Sequence, residues 1–266
     1  MLTEKLAQQD PVALRSLWLA NEAPAAEAAE APALAVNEHS LLGVVELLLK
    51  APRQLDAWTR DPSRQAELIP RLLILALTSL ALFSTILALL LRAAQAEAVP
   101  FVLENWNGST GAAVALALAY PVGMAAASGV CLPTFYFFGL LAGIRISVLQ
   151  VTTLALKGMA ATAVLLLGLT PIYLSVTLGM VIFHADDKAM SAALTVGLAL
   201  PFLAGVWGLR SIYVGFLSLA DTLPPERRCR RTCFLRRLTV AWAAVYTAVT
   251  PVMIWSLNQH LAARLG

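Results

Sequence analysis

The sequence predicts an all-α protein, a polytopic bundle of about five membrane-spanning helices, on three observations. Apolar residues make up 59% of the 266 and charged residues only 13%, about half the charged share of a soluble domain. The apolar residues fall into five long runs nearly free of charge, each long enough to cross roughly 30 Å of hydrocarbon at about 1.5 Å per helical residue. Arginines crowd two of the segments that flank those runs, the asymmetry that fixes membrane topology.

Residues 1–36 are poor core material. Ala23 to Ala35 reads Ala-Pro-Ala-Ala-Glu-Ala-Ala-Glu-Ala-Pro-Ala-Leu-Ala, a low-complexity stretch expected to be a disordered cytoplasmic tail, with a short helix over Val12–Ala20. No apolar signal-peptide core follows Met1-Leu2-Thr3-Glu4-Lys5, so no targeting segment is expected.

Residues 37–67 are expected to form cytoplasmic or interfacial helices. Leu41, Val44, Val45 and Leu48 recur at helical spacing, and Leu42 and Leu49 widen the stripe. Glu46 and Lys50, four apart, can pair on the polar side. Pro52 ends this amphipathic helix, which is too short to span and should lie at the membrane surface or pack under the bundle. Asp61-Pro62 offers a cap and a first-turn proline for another short helix, and Pro70 an elbow into the first span.

The bundle is expected over 68–260, with spans near 72–91, 111–141, 158–183, 190–217 and 238–258. Between Glu104 and Arg145 no charge appears, which leaves one long span or a tight pair. Charge decides. Lys50, Arg53, Arg60, Arg64 and Arg71 precede the first run; Arg227, Arg228, Arg230, Arg231, Arg236 and Arg237 precede the last. Both groups should face the cytoplasm, so an even number of crossings separates them. Four single spans satisfy this and give five in all, with the N-terminus cytoplasmic and the C-terminus outside.

No phosphate-cradling glycine loop and no histidine pair at zinc spacing is found, so neither catalytic residue, cofactor nor metal is expected. His184, Asp186 and Asp187 are the nearest approach to a ligand cluster; a solvated turn explains them better. Cys229 and Cys233, four apart among arginines, lack two further zinc ligands; acylation is the other reading, and two reduced cysteines in a basic segment the plain one. With Cys131 they make no disulfide framework. The net charge of +3 argues against nucleic acid. The arginine cluster suits anionic lipid headgroups, at about 1 kcal/mol per cation near the surface.

Arg210 and Lys157 are the intramembrane charge candidates. Both fall near the cytoplasmic side, and snorkelling to the interface explains them without a special role; Arg210 is the better candidate. Pro121, Pro133, Pro171, Pro201 and Pro251 each free a backbone carbonyl inside a span and are candidate kinks. No span carries an acidic residue, which weighs against an ion-coupled carrier.

The layout is a cytoplasmic N-terminal region, a surface-lying apolar segment, five closely spaced spans and a short tail. With Leu132-Pro133-Thr134-Phe135-Tyr136-Phe137-Phe138-Gly139 and Thr170-Pro171-Ile172, it resembles the Yip1-domain family of small five-span membrane proteins. The resemblance covers roughly 40–260 and implies action by binding partners, with no catalytic residue. The function expected is therefore that of a non-enzymatic scaffold, accessory subunit or membrane organiser, in contact with the lipid bilayer and with a membrane-protein or cytoplasmic partner. The alternative is a small permease or channel subunit that uses its kinked helices and Arg210. An intramembrane hydrolase is a third class, for which no polar pair can be nominated. The Ala-, Leu- and Arg-rich composition suggests a bacterial inner membrane; Asn107-Gly108-Ser109 would be a glycosylation sequon in a eukaryote.

Overall fold

The computed structural model describes residues 40–93, 109–141, 146–183, 186–220 and 228–265. The expected N-terminal tail, with its helix over Val12–Ala20, lies outside the described residues. Among those described there are seven helices and no strand. Two are short: α1, Leu41–Lys50, and α2, Pro52–Trp58. Five are long and apolar enough to cross a membrane: α3, Pro62–Ala93; α4, Thr110–Leu141; α5, Val148–Ile182; α6, Asp187–Ala220; and α7, Arg228–Leu265. The forty-residue uncharged stretch contributes a single helix, α4.

Local chemistry explains the helix starts. Ser40 caps α1 by accepting from the Gly43 amide at 2.9 Å, and Glu46 pairs with Lys50 at 2.8 Å. Asp61 caps α3: its Oδ1 accepts from the Ser63 amide at 3.0 Å and from Ser63 Oγ at 2.7 Å. Those bonds hold the exposed Asp61 carboxyl below its ordinary range. Ser147 and Gln150 form a capping box at the start of α5.

Three expectations are corrected here. Asp61-Pro62 does not open a separate short helix, and Pro70 makes no elbow, because α3 runs unbroken from Pro62 into the span. Pro70 and Ala66 are both exposed, so the carbonyl that Pro70 leaves unpaired lies on the outer face, where breaking the ladder is least costly. The span expected from 158 begins instead at Val148.

In the bundle α4 packs along α7, α3 along α5 and α4, and α5 along α6, while α6 and α7 meet only briefly. The order around the bundle is thus α7, α4, α3, α5, α6, with a loose seam between its two ends. One buried cluster joins Phe83, Leu87, Leu116, Tyr120 and Leu166. A second, at one end, joins Phe135, Phe216, Ile146, Val151 and Trp242. There Phe135 of α4 stands edge-on to Phe216 of α6 and 4.7 Å from the Trp242 ring of α7.

Between helices in lipid no hydrophobic force operates, and close packing of small residues replaces it. The α5–α6 crossing shows this. A Cβ on Gly208 would stand 2.5 Å from the Gly158 carbonyl oxygen and would collide with Thr162 Oγ1.

All five prolines lie inside continuous helices. Pro121 removes the amide that would bond to the Ala117 carbonyl; Ser84 of α3 donates to that oxygen at 2.9 Å instead. Tyr120 also donates across to the Leu198 carbonyl of α6, at 3.2 Å.

Candidate functional site

The two charges singled out within the spans have opposite environments. Arg210 is exposed on α6, its guanidinium 5.1 Å from the Trp207 ring centre. Lys157 is only 1% exposed. Its α5 helix starts nine residues earlier, so Lys157 lies about 13 Å along the helix axis and does not snorkel. It donates to Oδ1 of Asp56, which is 5% exposed. Of the two candidates, Lys157 is the buried charge and Arg210 the exposed one.

Asp56 reaches this position because α2 is pinned against the bundle. Leu55, its neighbour, is fully buried in the main cluster. Thr59 Oγ1 donates to the Asp56 carbonyl at 2.8 Å, and the buried Gln65 side chain of α3 donates to the Thr59 carbonyl at 2.8 Å. The α2–α3 corner is thus tied down by side-chain bonds. Gly215 of α6 lies beside the carboxylate: a Cβ there would be 3.6 Å from Asp56 Oδ1. The pair joins α2 to α5 at the side where α6 passes. Moving either charge out of water costs several kcal/mol, and the partner offsets that cost only while both are present. The pair therefore fixes geometry more than it adds stability.

The Asp56–Lys157 contact was not legible in the sequence, because the spans contain no acid and Asp56 comes from outside them. One signal could have located half of it. Ser147 with Gln150 is a capping-box pattern, and it would have started α5 early enough to place Lys157 in the helix interior.

The second feature is a crevice of about 330 Å³ under the α6–α7 seam. Its walls include Thr162 of α5, Phe202 and Gly205 of α6, and Trp242 and Ala243 of α7. Among the described residues none that lines it is charged. Three of the hydroxyls in it are satisfied within the protein: Ser128 Oγ donates to the Met124 carbonyl at 3.0 Å and lies 3.3 Å from the Tyr246 hydroxyl, and Thr162 Oγ1 donates to the Gly158 carbonyl at 3.0 Å; the fourth, on Thr247, is on an exposed residue of α7. Such walls are mainly apolar.

Among the described residues no group of three metal-ligating side chains occurs. Asp186 is exposed; His184 and the Asp187 side chain lie outside the described residues. So do Arg227 and the side chains of Arg228, Arg230, Arg231, Cys229 and Cys233. Arg236 and Arg237 are exposed on α7. Pro121 and Pro201 are buried, Pro251 half-buried, and Pro133 and Pro171 exposed.

Five long apolar helices packed into one bundle define an integral membrane protein of the all-α, polytopic class. No protein-family model matches the chain, and neither a curated protein nor a solved structure matches it.

Proposed function

We propose that the chain acts without catalysis, as a scaffold or accessory subunit of a membrane, and that α1 and α2 are the part it presents to a partner. The observation that carries this reading is the Asp56–Lys157 pair, which holds a pair of short helices rigidly on the bundle. On α1 one side is buried through Val44 and Leu47, while Leu42 and Leu49, about two helical turns apart, are 80% and 66% exposed. A helix clamped from beneath with leucines outward is suited to meet a protein or the bilayer interface. The layout shared with Yip1-domain proteins points the same way. The bundle interior supports this reading over a permease, since Arg210 lies on the outer face and the crevice is apolar. We place the protein in a bacterial inner membrane, N-terminus in the cytoplasm.

A photo-crosslinking residue introduced at Leu42 or Leu49 tests the proposal in intact membranes. The expected result is a discrete protein adduct at both positions and none at Val122, on the outer face of α4. Adducts to lipid alone at 42 and 49, or solute flux through proteoliposomes of the pure chain, would remove the scaffold reading.

A further inference from the structure

We infer that the crevice under the α6–α7 seam is a binding site for one acyl chain of an anionic phospholipid, whose headgroup is held by Arg236 and Arg237. The inference stands apart from whatever meets α1.

Shape is the first argument. The α6 wall runs from Pro201 to Ile212, about 16 Å of helix axis and so about half of a hydrocarbon core roughly 30 Å thick. Spread over that length, 330 Å³ leaves a section of about 20 Å². A helix, about 10 Å across, does not fit such a slot; a single hydrocarbon chain does. Chemistry is the second. Among the described residues the walls carry no charge, and Ser128 and Thr162 already have protein acceptors. An apolar occupant leaves neither of these two hydroxyls unpaired, and Thr247, the remaining hydroxyl residue of α7 in the lining, is exposed. Charge at one end is the third. The crevice ends near Val240, and just beyond it Leu238 and Thr239 of α7 lie by Phe216 of α6. Arg236 falls one turn before Val240 on the same face of α7, with Arg237 beside it. Both are exposed, and among the described residues neither pairs with a carboxylate. A cation pair at the end of a leaflet-deep apolar slot matches a lipid phosphate over a buried tail.

The wall also shows where to block it. A Cβ on Gly205 would meet nothing within 4 Å, so a larger side chain there enters the crevice without displacing protein. Trp242 supplies the probe, since it lines the crevice yet is only 5% exposed. The full chain would keep Trp242 and carry phenylalanine at Trp18, Trp58, Trp106, Trp207 and Trp255. It would be placed in nanodiscs of phospholipid brominated at mid-chain. Brominated phosphatidylglycerol should quench Trp242 at least twofold more than brominated phosphatidylcholine. Gly205→Leu should abolish quenching by both lipids while the unfolding temperature holds, because leaving glycine favours a helix. Ala244→Leu, from the facing wall, is the second blocking variant. Arg236→Gln with Arg237→Gln should remove the preference between the two lipids. Absence of quenching, equal quenching by both lipids, or quenching that persists in folded Gly205→Leu and Ala244→Leu would each overturn the inference.

Discussion

Lys157 and Asp56 stand 101 positions apart in the chain and share a buried hydrogen bond. One comes from the interior of a spanning helix, the other from a seven-residue helix outside the spans. For them to meet, the chain between them must cross the membrane an even number of times. The single helices α3 and α4 do so.

Removing one member of this pair strands a charge in a dry site. Lys157→Met alone, or Asp56→Leu alone, should cost about 3–5 kcal/mol. The double variant should cost much less than the sum. Thermal unfolding of all four proteins in one detergent gives the coupling, and strictly additive losses would contradict a functioning pair.

The α5–α6 crossing makes a contrast between two glycines of one helix. Gly208→Ala sets a methyl against the Gly158 backbone and should destabilise by about 1–3 kcal/mol. Gly205→Ala, which faces open space, should be neutral or slightly stabilising. Equal effects in an unfolding assay would show that the crossing is not as tight as described.

Ser84 serves a carbonyl that Pro121 leaves without its own amide. Ser84→Ala should cost about 1–2 kcal/mol. In a Pro121→Ala background the helix recovers its internal bond, and the same serine change should cost a few tenths. A serine effect of the same size in both backgrounds would break the link.

Asp61 caps α3 with its carboxyl held low by Ser63. A depressed folded pKa means the cap is fully formed above the ordinary value of 3.8 and is lost as pH falls through the lower, folded value. A carbon-detected titration should therefore place Asp61 below 3.8, and Ser63→Ala should move it upward. No movement would refute the assigned cause.

Orientation has its own test. In a chain freed of its three cysteines, single cysteines replace Glu97, Arg145, Asp187, Arg230 and Arg264. A reagent that cannot cross membranes should label 97, 187 and 264 from outside and spare 145 and 230. Labelling of 230 in intact cells would reverse the topology.

Much of the fold is readable in residue order. The charge-free runs mark the spans, and arginine placement favours a single span between Glu104 and Arg145, where α4 is one helix over Thr110–Leu141. Glu46 and Lys50 meet as their spacing predicts. What was not readable depends on three-dimensional neighbours. Pro70 reads as an elbow, yet at an exposed position its missing bond costs little and α3 continues. Lys157 reads as a snorkelling residue because its helix start was placed ten residues late and its acid lies in another element. The crevice is written in no motif: it arises because Gly205, Ala243 and Ala244 are small where two helices fail to close, and one sequence does not reveal which small residues face a neighbour.

The loose seam also constrains how the molecule is made. The last helix has its main partner in α4, which leaves the ribosome more than eighty residues ahead of it. Until translation nearly ends, α4 must wait with that flank bare, against lipid or an insertion factor. A chain stalled before residue 228 would hold the α3–α5–α6 assembly and an unsealed α4, the form a membrane quality-control protease should find first.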